Sequence, residues 1–266
     1  MKKEIKINNI TIGGEKIVLI AGPCAIENED MALETAEKLA NITSKLNIPY
    51  IFKGSYDKAN RLSINSGRGL GFPRGLGVLR KIRETFNIPV LTDVHETYQV
   101  EAVASVVDII QIPAFLCRQT DLVLAAASTG KPINIKKGQF MAPEDMKYIA
   151  QKAEYKGNKN IMITERGTSF GYHDLVLDPR SIVILKSLGY PVILDITHSA
   201  QKPGGIAGAS GGERKFVIPF GKVGIALGVD GIYMEVHPDP EKAISDKFIQ
   251  VPLDEAENYI KAIFNI

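Results

Sequence analysis

The chain has 266 residues, 45% hydrophobic and 23% charged, with 32 Lys and Arg against 30 Asp and Glu. This is an ordinary globular balance at about the length of one β/α barrel, and a formal net charge of +2 is too small for bulk electrostatics to draw nucleic acid or a membrane surface. The sequence has no apolar run of about 18 residues to span a bilayer, and Met1-Lys2-Lys3-Glu4-Ile5 lacks the apolar core of a signal peptide.

From Lys3 to Ile12 polar and apolar residues alternate, broken by Asn8-Asn9 and followed by Gly13-Gly14. This pattern predicts a β-hairpin within residues 1–16, placed as a plug over one end of the fold. A different rhythm then begins. Apolar runs rich in Val and Ile recur at Ile17–Ala21, Tyr50–Phe52, Pro89–Leu91, Ile109–Ile112, Ile133–Ile135, Ile161–Ile163, Val192–Leu194 and Gly231–Met234. The stretches between them read as helices. Ala32, Ala36, Leu39, Ala40 and Thr43 follow a cap-like Asn28-Glu29-Asp30 at three- and four-residue spacing, and Pro143-Glu144-Asp145 opens another. Strands alternating with helices imply right-handed βαβ units and a parallel sheet. Eight units predict an α/β fold, a single-domain (β/α)8 TIM barrel over residues 1–266. Periodicity does not prove closure, so an open doubly wound sheet is the alternative. The stretch Gly204 to Gly212 reads as a long mobile loop after the seventh strand. Cys24 and Cys117 are too few for a disulfide scaffold, so a reducing cytoplasm is expected, with each thiol free or on a metal.

In such a barrel the active site forms at the carboxyl ends of the strands. Just past each run stand Cys24 and Glu27, Lys53 and Ser55, Asp93 and His95, Gln111, Lys136-Lys137, Glu165-Arg166, Asp195 and His198, and Glu235 and His237. A lone Lys at a strand end is usually solvated, and a lone His is usually a hydrogen-bonded structural residue. Eight strand ends converging such groups on one rim is a different matter, because charges tolerate burial only when paired or bound. Lys53, Lys58, Arg61, Lys136 and Arg166 would repel one another until an anion with a carboxylate and one or two phosphates arrives. Cys24, His198, Glu235 and Asp246 offer donors that suit a divalent first-row metal, although no tight spacing along the chain marks them as a set. Asp93 is either a general base or a hydrogen-bonded brace. Cys117 reads as a packed thiol. Neither G-x-x-x-x-G-K-[ST] nor G-x-G-x-x-G follows a strand, so no nucleotide cofactor is expected.

Several stretches carry a resemblance: Ala21-Gly22-Pro23-Cys24-Ala25-Ile26-Glu27, Phe52-Lys53-Gly54-Ser55-Tyr56-Asp57-Lys58-Ala59-Asn60-Arg61, Gln111 through Thr120, Asn134 through Phe140, Thr164-Glu165-Arg166-Gly167, Asp195-Ile196-Thr197-His198-Ser199 and Gly231 through Pro240. Together they closely resemble the 3-deoxy-D-manno-octulosonate 8-phosphate synthases over nearly the whole chain. A sister family, which makes 3-deoxy-D-arabino-heptulosonate 7-phosphate, typically has Lys-Pro-Arg-Thr where this chain has Lys58-Ala59-Asn60-Arg61.

The resemblance implies condensation of phosphoenolpyruvate with D-arabinose 5-phosphate for the lipopolysaccharide inner core. It implies Lys58, Lys136 and Arg166 around phosphoenolpyruvate, with Ser55 and Gln111 beside them, and Lys53 is a further expected substrate-binding residue. Asn60 and Arg61 would hold the pentose phosphate, with Arg118 reaching it from a neighbouring subunit of a homotetramer. Cys24 marks the metal-dependent members, so one divalent metal per subunit (zinc, iron, manganese or similar) is expected on Cys24, His198, Glu235 and Asp246. Lys136, His198, Asp246 and Cys24 are then the expected catalytic groups. Leu62 replaces the usual Ser or Thr after the Asn-Arg pair, and Lys247-Phe248 replaces the usual Gly-Pro after Asp246. Two other classes compete: a Schiff-base aldolase with Lys136 as a desolvated nucleophile, and a non-catalytic sugar-phosphate sensor on the same fold.

Overall fold

The apolar runs form eight parallel strands: Val18–Gly22, Tyr50–Lys53, Val90–Asp93, Ile109–Ile112, Ile133–Lys136, Ile161–Glu165, Val192–Asp195 and Gly231–His237. They are described by a computed structural model that covers residues 3–206 and 209–266. Each strand pairs with the next, and the eighth pairs with the first, Gly231 opposite Val18 and Glu235 opposite Gly22. The sheet is therefore closed, a TIM barrel rather than an open sheet. Eight α-helices accompany the strands among the described residues. The first, Glu29–Lys45, starts where the Asn28 side chain accepts from the Met31 N–H at 2.9 Å. It buries Ala32, Ala36, Leu39 and Thr43 against the sheet side. Pro143 opens a 3-10 turn, Pro143–Asp145, that leads into the helix Met146–Tyr155.

Strand side chains alternate between faces, and this sorts the core into two parts. Leu19, Phe52, Val90, Ile110, Ile133, Ile161, Leu194 and Ile232 point outward beneath the helices. Ile20, Ile51, Leu91, Ile109, Met162, Ile193 and Tyr233 point inward and pack with Ile5, Ile7, Ile10 and Ile12. Those four isoleucines come from the N-terminal hairpin, Ile5–Ile7 paired antiparallel with Ile10–Ile12, which turns through Asn8 in the left-handed region at φ 52°. The hairpin thus plugs the amino-terminal end of the barrel as the alternation predicts. Met1 and Lys2 of that segment lie outside the described residues.

The glycine-rich stretch differs from expectation. Gln201–Ile206 pairs antiparallel with Ala209–Gly212, so most of Gly204 to Gly212 is a second hairpin rather than an irregular loop. Residues 207 and 208 lie outside the described residues. The ladder rests on backbone groups, and glycines leave no side-chain alternation to announce it. A Cβ at Gly212 would collide with the Ile249 side chain, so the bareness of this strand has a packing reason. A shorter pair, Thr168–Ser169 with Leu175–Val176, follows the sixth strand. Among the described residues no helix is long and apolar enough to cross a membrane.

Candidate active site

Beyond the aliphatic layer, two residues on in most strands and four in the sixth, the inward positions turn polar. Lys53, Asp93, Gln111, Lys136, Arg166, Asp195 and Glu235 are all buried there. They surround or underlie a cavity of about 670 Å³, whose lining includes Lys53, Lys58, Asn60, Arg61, Asp93, Gln111, Lys136, Arg166, His198 and Asp246. That volume is ordinary for a small-molecule site.

At the base of the cavity Cys24, His198, Glu235 and Asp246 bring one ligand atom each to within 4.8 Å of one another. Gly22 makes the first placement possible: its φ is 156°, and a Cβ there would strike the Lys53 carbonyl oxygen, so the chain can turn Cys24 under the rim. Asp246 sits in the left-handed region at φ 54°, a conformation Asp tolerates better than most residues. Lys247-Phe248 therefore does not carry Asp246 away. The Cys24 Sγ lies 3.1 Å from Asp246 Oδ2. His198 Nε2 lies 3.5 Å from Glu235 Oε1 and 3.9 Å from Asp246 Oδ2. On its other side His198 Nδ1 meets Asp195 Oδ2 at 2.7 Å. A proton held on Nδ1 by Asp195 turns the Nε2 lone pair toward the cluster, the usual arrangement behind a metal-bound imidazole.

The donor set fits a divalent ion. Among the described residues Glu235 Oε2 is buried without a hydrogen-bond partner, and a buried carboxylate oxygen needs one. Burial, then Glu235, push the Cys24 thiol well above its ordinary pKa. A cation at the centre would reverse that balance and make the thiolate a ligand. Burial acts against Asp246 too, but His198, Lys58 and hydrogen bonds from Cys24 and Gln201 hold its carboxyl down at about 2.

Above the cluster the cations gather. Lys136 Nζ donates to Asp195 Oδ2 at 2.6 Å and stands 3.9 Å over the Tyr233 ring. Burial raises Asp195, yet His198 and Lys136 outweigh it and keep this carboxyl far below the usual carboxylate range. Lys53 Nζ donates to Ser55 Oγ at 2.8 Å. Burial and then the Lys58 charge lower its pKa to about 8, against the pull of Asp93 and Glu235. Arg166 is 4% exposed; Nη2 donates to Gln201 Oε1 at 2.9 Å, while Nη1 has no hydrogen-bond partner among the described residues. Arg61 donates to Ser245 Oγ and the Ile244 carbonyl, both at 2.7 Å, and its Nε has no hydrogen-bond partner among the described residues. Leu62 lines the same cavity and offers it no hydrogen bond.

Of the other sequence candidates, Asp93 and His95 line the cavity wall and the rest lie outside it. Asp93 takes the Ser55 hydroxyl at 2.5 Å and His95 Nε2 at 3.0 Å, the geometry of a brace. Cys117 is fully buried. Arg118 is exposed and outside this chain's own cavity lining. Lys137 and Glu165 face away from the rim and meet each other at 3.5 Å, because each neighbours an inward-facing residue. Three polar residues of the site carry no sequence signal. Gln201 donates to Asp246 Oδ1 at 2.5 Å, Ser245 to Asp246 Oδ2 at 3.1 Å, and Gln250 Oε1 accepts from the Cys24 N–H at 3.1 Å. Their signal, if any, is proximity to Asp246 along the chain or to the glycine-rich hairpin.

A family model described as the DAHP synthetase I family matches residues 2–264. A 2-dehydro-3-deoxyphosphooctonate aldolase of Geotalea uraniireducens (strain Rf4) is 55% identical over 264 residues, 99% of this chain and 97% of that protein. Proteins of the same name are similar in Rickettsia typhi, at 56% identity over 261 residues (98% and 95% covered), and in Fusobacterium nucleatum, at 53% over 264 residues (99% and 95% covered).

Proposed function

The chain belongs to the DAHP synthetase I family, on the branch of the 2-dehydro-3-deoxyphosphooctonate aldolases, and from this we propose the reaction it performs. It condenses phosphoenolpyruvate with D-arabinose 5-phosphate and water to give 3-deoxy-D-manno-octulosonate 8-phosphate and inorganic phosphate, a step toward the lipopolysaccharide inner core. The observation that carries this reading is Arg166, a nearly buried guanidinium whose Nη1 has no hydrogen-bond partner among the described residues, at the edge of a cation-lined cavity. Such a donor awaits a planar or tetrahedral anion.

Lys53, Lys58, Lys136 and Arg166 receive phosphoenolpyruvate, with Ser55 and Gln111 beside it. Their charges act in a pocket walled by protein, where electrostatic stabilisation exceeds its value in water. Asp195 fixes two partners at once, Lys136 at 2.6 Å and His198 at 2.7 Å, so anion binding and the donor cluster share one anchor. Asn60 and Arg61 hold the pentose phosphate at the outer end. C3 of the enol forms the new bond to the aldehyde carbon, water adds at C2, and the C2–O bond to phosphate breaks. Cys24, His198, Glu235 and Asp246 hold one divalent ion (zinc, iron, manganese or similar), which when bound supplies Lewis-acid polarisation of an oxygen. Lys136, paired so closely with Asp195, suits a fixed cation better than the free amine of a Schiff-base aldolase.

Arg118, exposed and outside its own cavity, supports a homotetramer in which it reaches the pentose phosphate of a neighbouring copy. Two buried free thiols, Cys24 and Cys117, support a reducing cytoplasm. The test is turnover. Purified protein with both substrates is expected to release phosphate, to stop on chelation, and to recover with added manganese, zinc or cadmium. Activity indifferent to complete metal removal would keep the reaction and remove the ion. No turnover with arabinose 5-phosphate or erythrose 4-phosphate would return the chain to the sensor reading.

A further inference from the structure

Neighbouring residues on a strand face opposite ways, so Lys137 and Glu165 stand directly behind Lys136 and Arg166. Their side chains are 0% and 1% exposed. Lys137 Nζ lies 3.5 Å from Glu165 Oε1, and it donates to the Gly138 carbonyl at 3.3 Å, the Met141 carbonyl at 3.5 Å and Thr168 Oγ1 at 3.0 Å. Glu165 Oε1 also accepts the N–H groups of Arg166 at 2.9 Å and Gly167 at 2.7 Å, and Oε2 takes the Ser181 hydroxyl. Ser169 N–H donates to the Gln139 carbonyl at 3.0 Å across the same seam. One buried ammonium thus ties the loop after the fifth strand to the loop after the sixth. Those two loops and their strand ends deliver Lys136, Gln139 and Arg166 to the cavity.

Stability alone gives no reason for this pair. Desolvating two charges is costly, and an apolar or neutral pair of similar volume is often as stable. The pair's position, behind two anion-facing cations, supplies a reason. We propose that Lys137 and Glu165 are positioning residues, a staple that fixes the spacing of Lys136 and Arg166 around phosphoenolpyruvate. The inference rests on the reaction proposed above.

The test is the double variant Lys137→Met/Glu165→Gln, which removes both charges together and so leaves neither buried alone. It keeps a side-chain oxygen for the N–H groups of Arg166 and Gly167 but severs the link from Gly138 and Met141 to Thr168. A staple predicts a thermal midpoint close to that of the unsubstituted protein. It also predicts a KM for phosphoenolpyruvate raised about tenfold, with the KM for arabinose 5-phosphate within about twofold. A merely structural pair predicts unchanged KM values in whatever fraction folds. Thr168→Val removes one bond of the staple and buries no charge, so it serves if the double variant does not fold; about a threefold rise in the same KM is expected. A folded double variant with unchanged KM for phosphoenolpyruvate, or an unfolded one with an unchanged Thr168→Val, overturns the staple. Absence of turnover by the unsubstituted protein, assayed alongside, overturns the reaction instead.

Discussion

The two ends of the barrel are made by the same strands, one alternation apart. At the amino-terminal end Ile20, Ile51, Leu91, Ile109, Met162 and Ile193 meet the four isoleucines of the hairpin. Two residues further on, the inward positions are Lys53, Asp93, Gln111, Asp195 and Glu235. The first end is sealed by side chains that complete one another. The second is not: Arg166 Nη1 and Glu235 Oε2 are buried without hydrogen-bond partners among the described residues. Apolar burial of about 1.5–3 kcal/mol per large side chain at one end holds together an assembly of charges that the other end could not stabilise alone. Stability and chemistry are therefore separable by mutation.

The largest expected effect is at the charged end. Cys24→Ala removes the one soft donor of the cluster, and metal-dependent turnover should fall at least about a hundredfold, the several kcal/mol that a Lewis acid supplies. The thermal midpoint measured in chelator should stay within about 3 °C, and an active, metal-free variant would break the division between the ends. At the hairpin end the signature reverses. Ile12→Ala, at a fully buried position, should destabilise the fold by about 2–5 kcal/mol, read by denaturant titration, with KM values unchanged while the protein is folded. A KM shift there would join the two ends. The smallest effect is a pH dependence confined to the hairpin end. Lys3 Nζ donates to Glu154 at 2.6 Å and Tyr190 to the same oxygen at 2.9 Å. The Lys3 hydrogen bond, against burial and aided by Tyr190, lowers the Glu154 pKa from 4.5. A depressed carboxylate adds stability that is fully present above its unfolded value and is lost as pH falls through the folded one. Acid unfolding below about pH 4.5 should accordingly be less steep in Lys3→Met than in the unsubstituted chain.

Most of the barrel was legible because its strands are buried on both faces and read as continuous Val and Ile runs. The boundaries erred in one direction. Runs ending at Phe52, Leu91, Ile135, Ile163 and Leu194 continue as strand to Lys53, Asp93, Lys136, Glu165 and Asp195. Hydrophobicity stops where the chemistry starts, but the hydrogen-bond ladder continues. Lys53, Lys136, Arg166 and three of the four donors, Cys24, His198 and Glu235, were visible as charged or ligating residues at or just past those ends, whereas Lys58, Arg61 and Asp246 lie in the loops beyond. Gln201, Ser245 and Gln250 were not, because a neutral polar residue in a loop has no pattern to break. Nor could periodicity say that Lys137 and Glu165 turn outward. That follows only from knowing that Lys136 and Arg166 turn in.

The dipeptides Lys136-Lys137 and Glu165-Arg166 give the barrel a means of proofreading its own assembly. A one-residue slip of the sixth strand would exchange its two faces, setting a carboxylate among Lys53, Lys58 and Lys136 and pressing a guanidinium into the helix layer. A slip of the fifth would keep an ammonium in the cavity but part it from Asp195. A carboxylate among the lysines would fill the anion site from within, and the guanidinium behind it would be buried unpaired, so a protein refolded from denaturant that regains its anion site has, by that fact, regained its alignment.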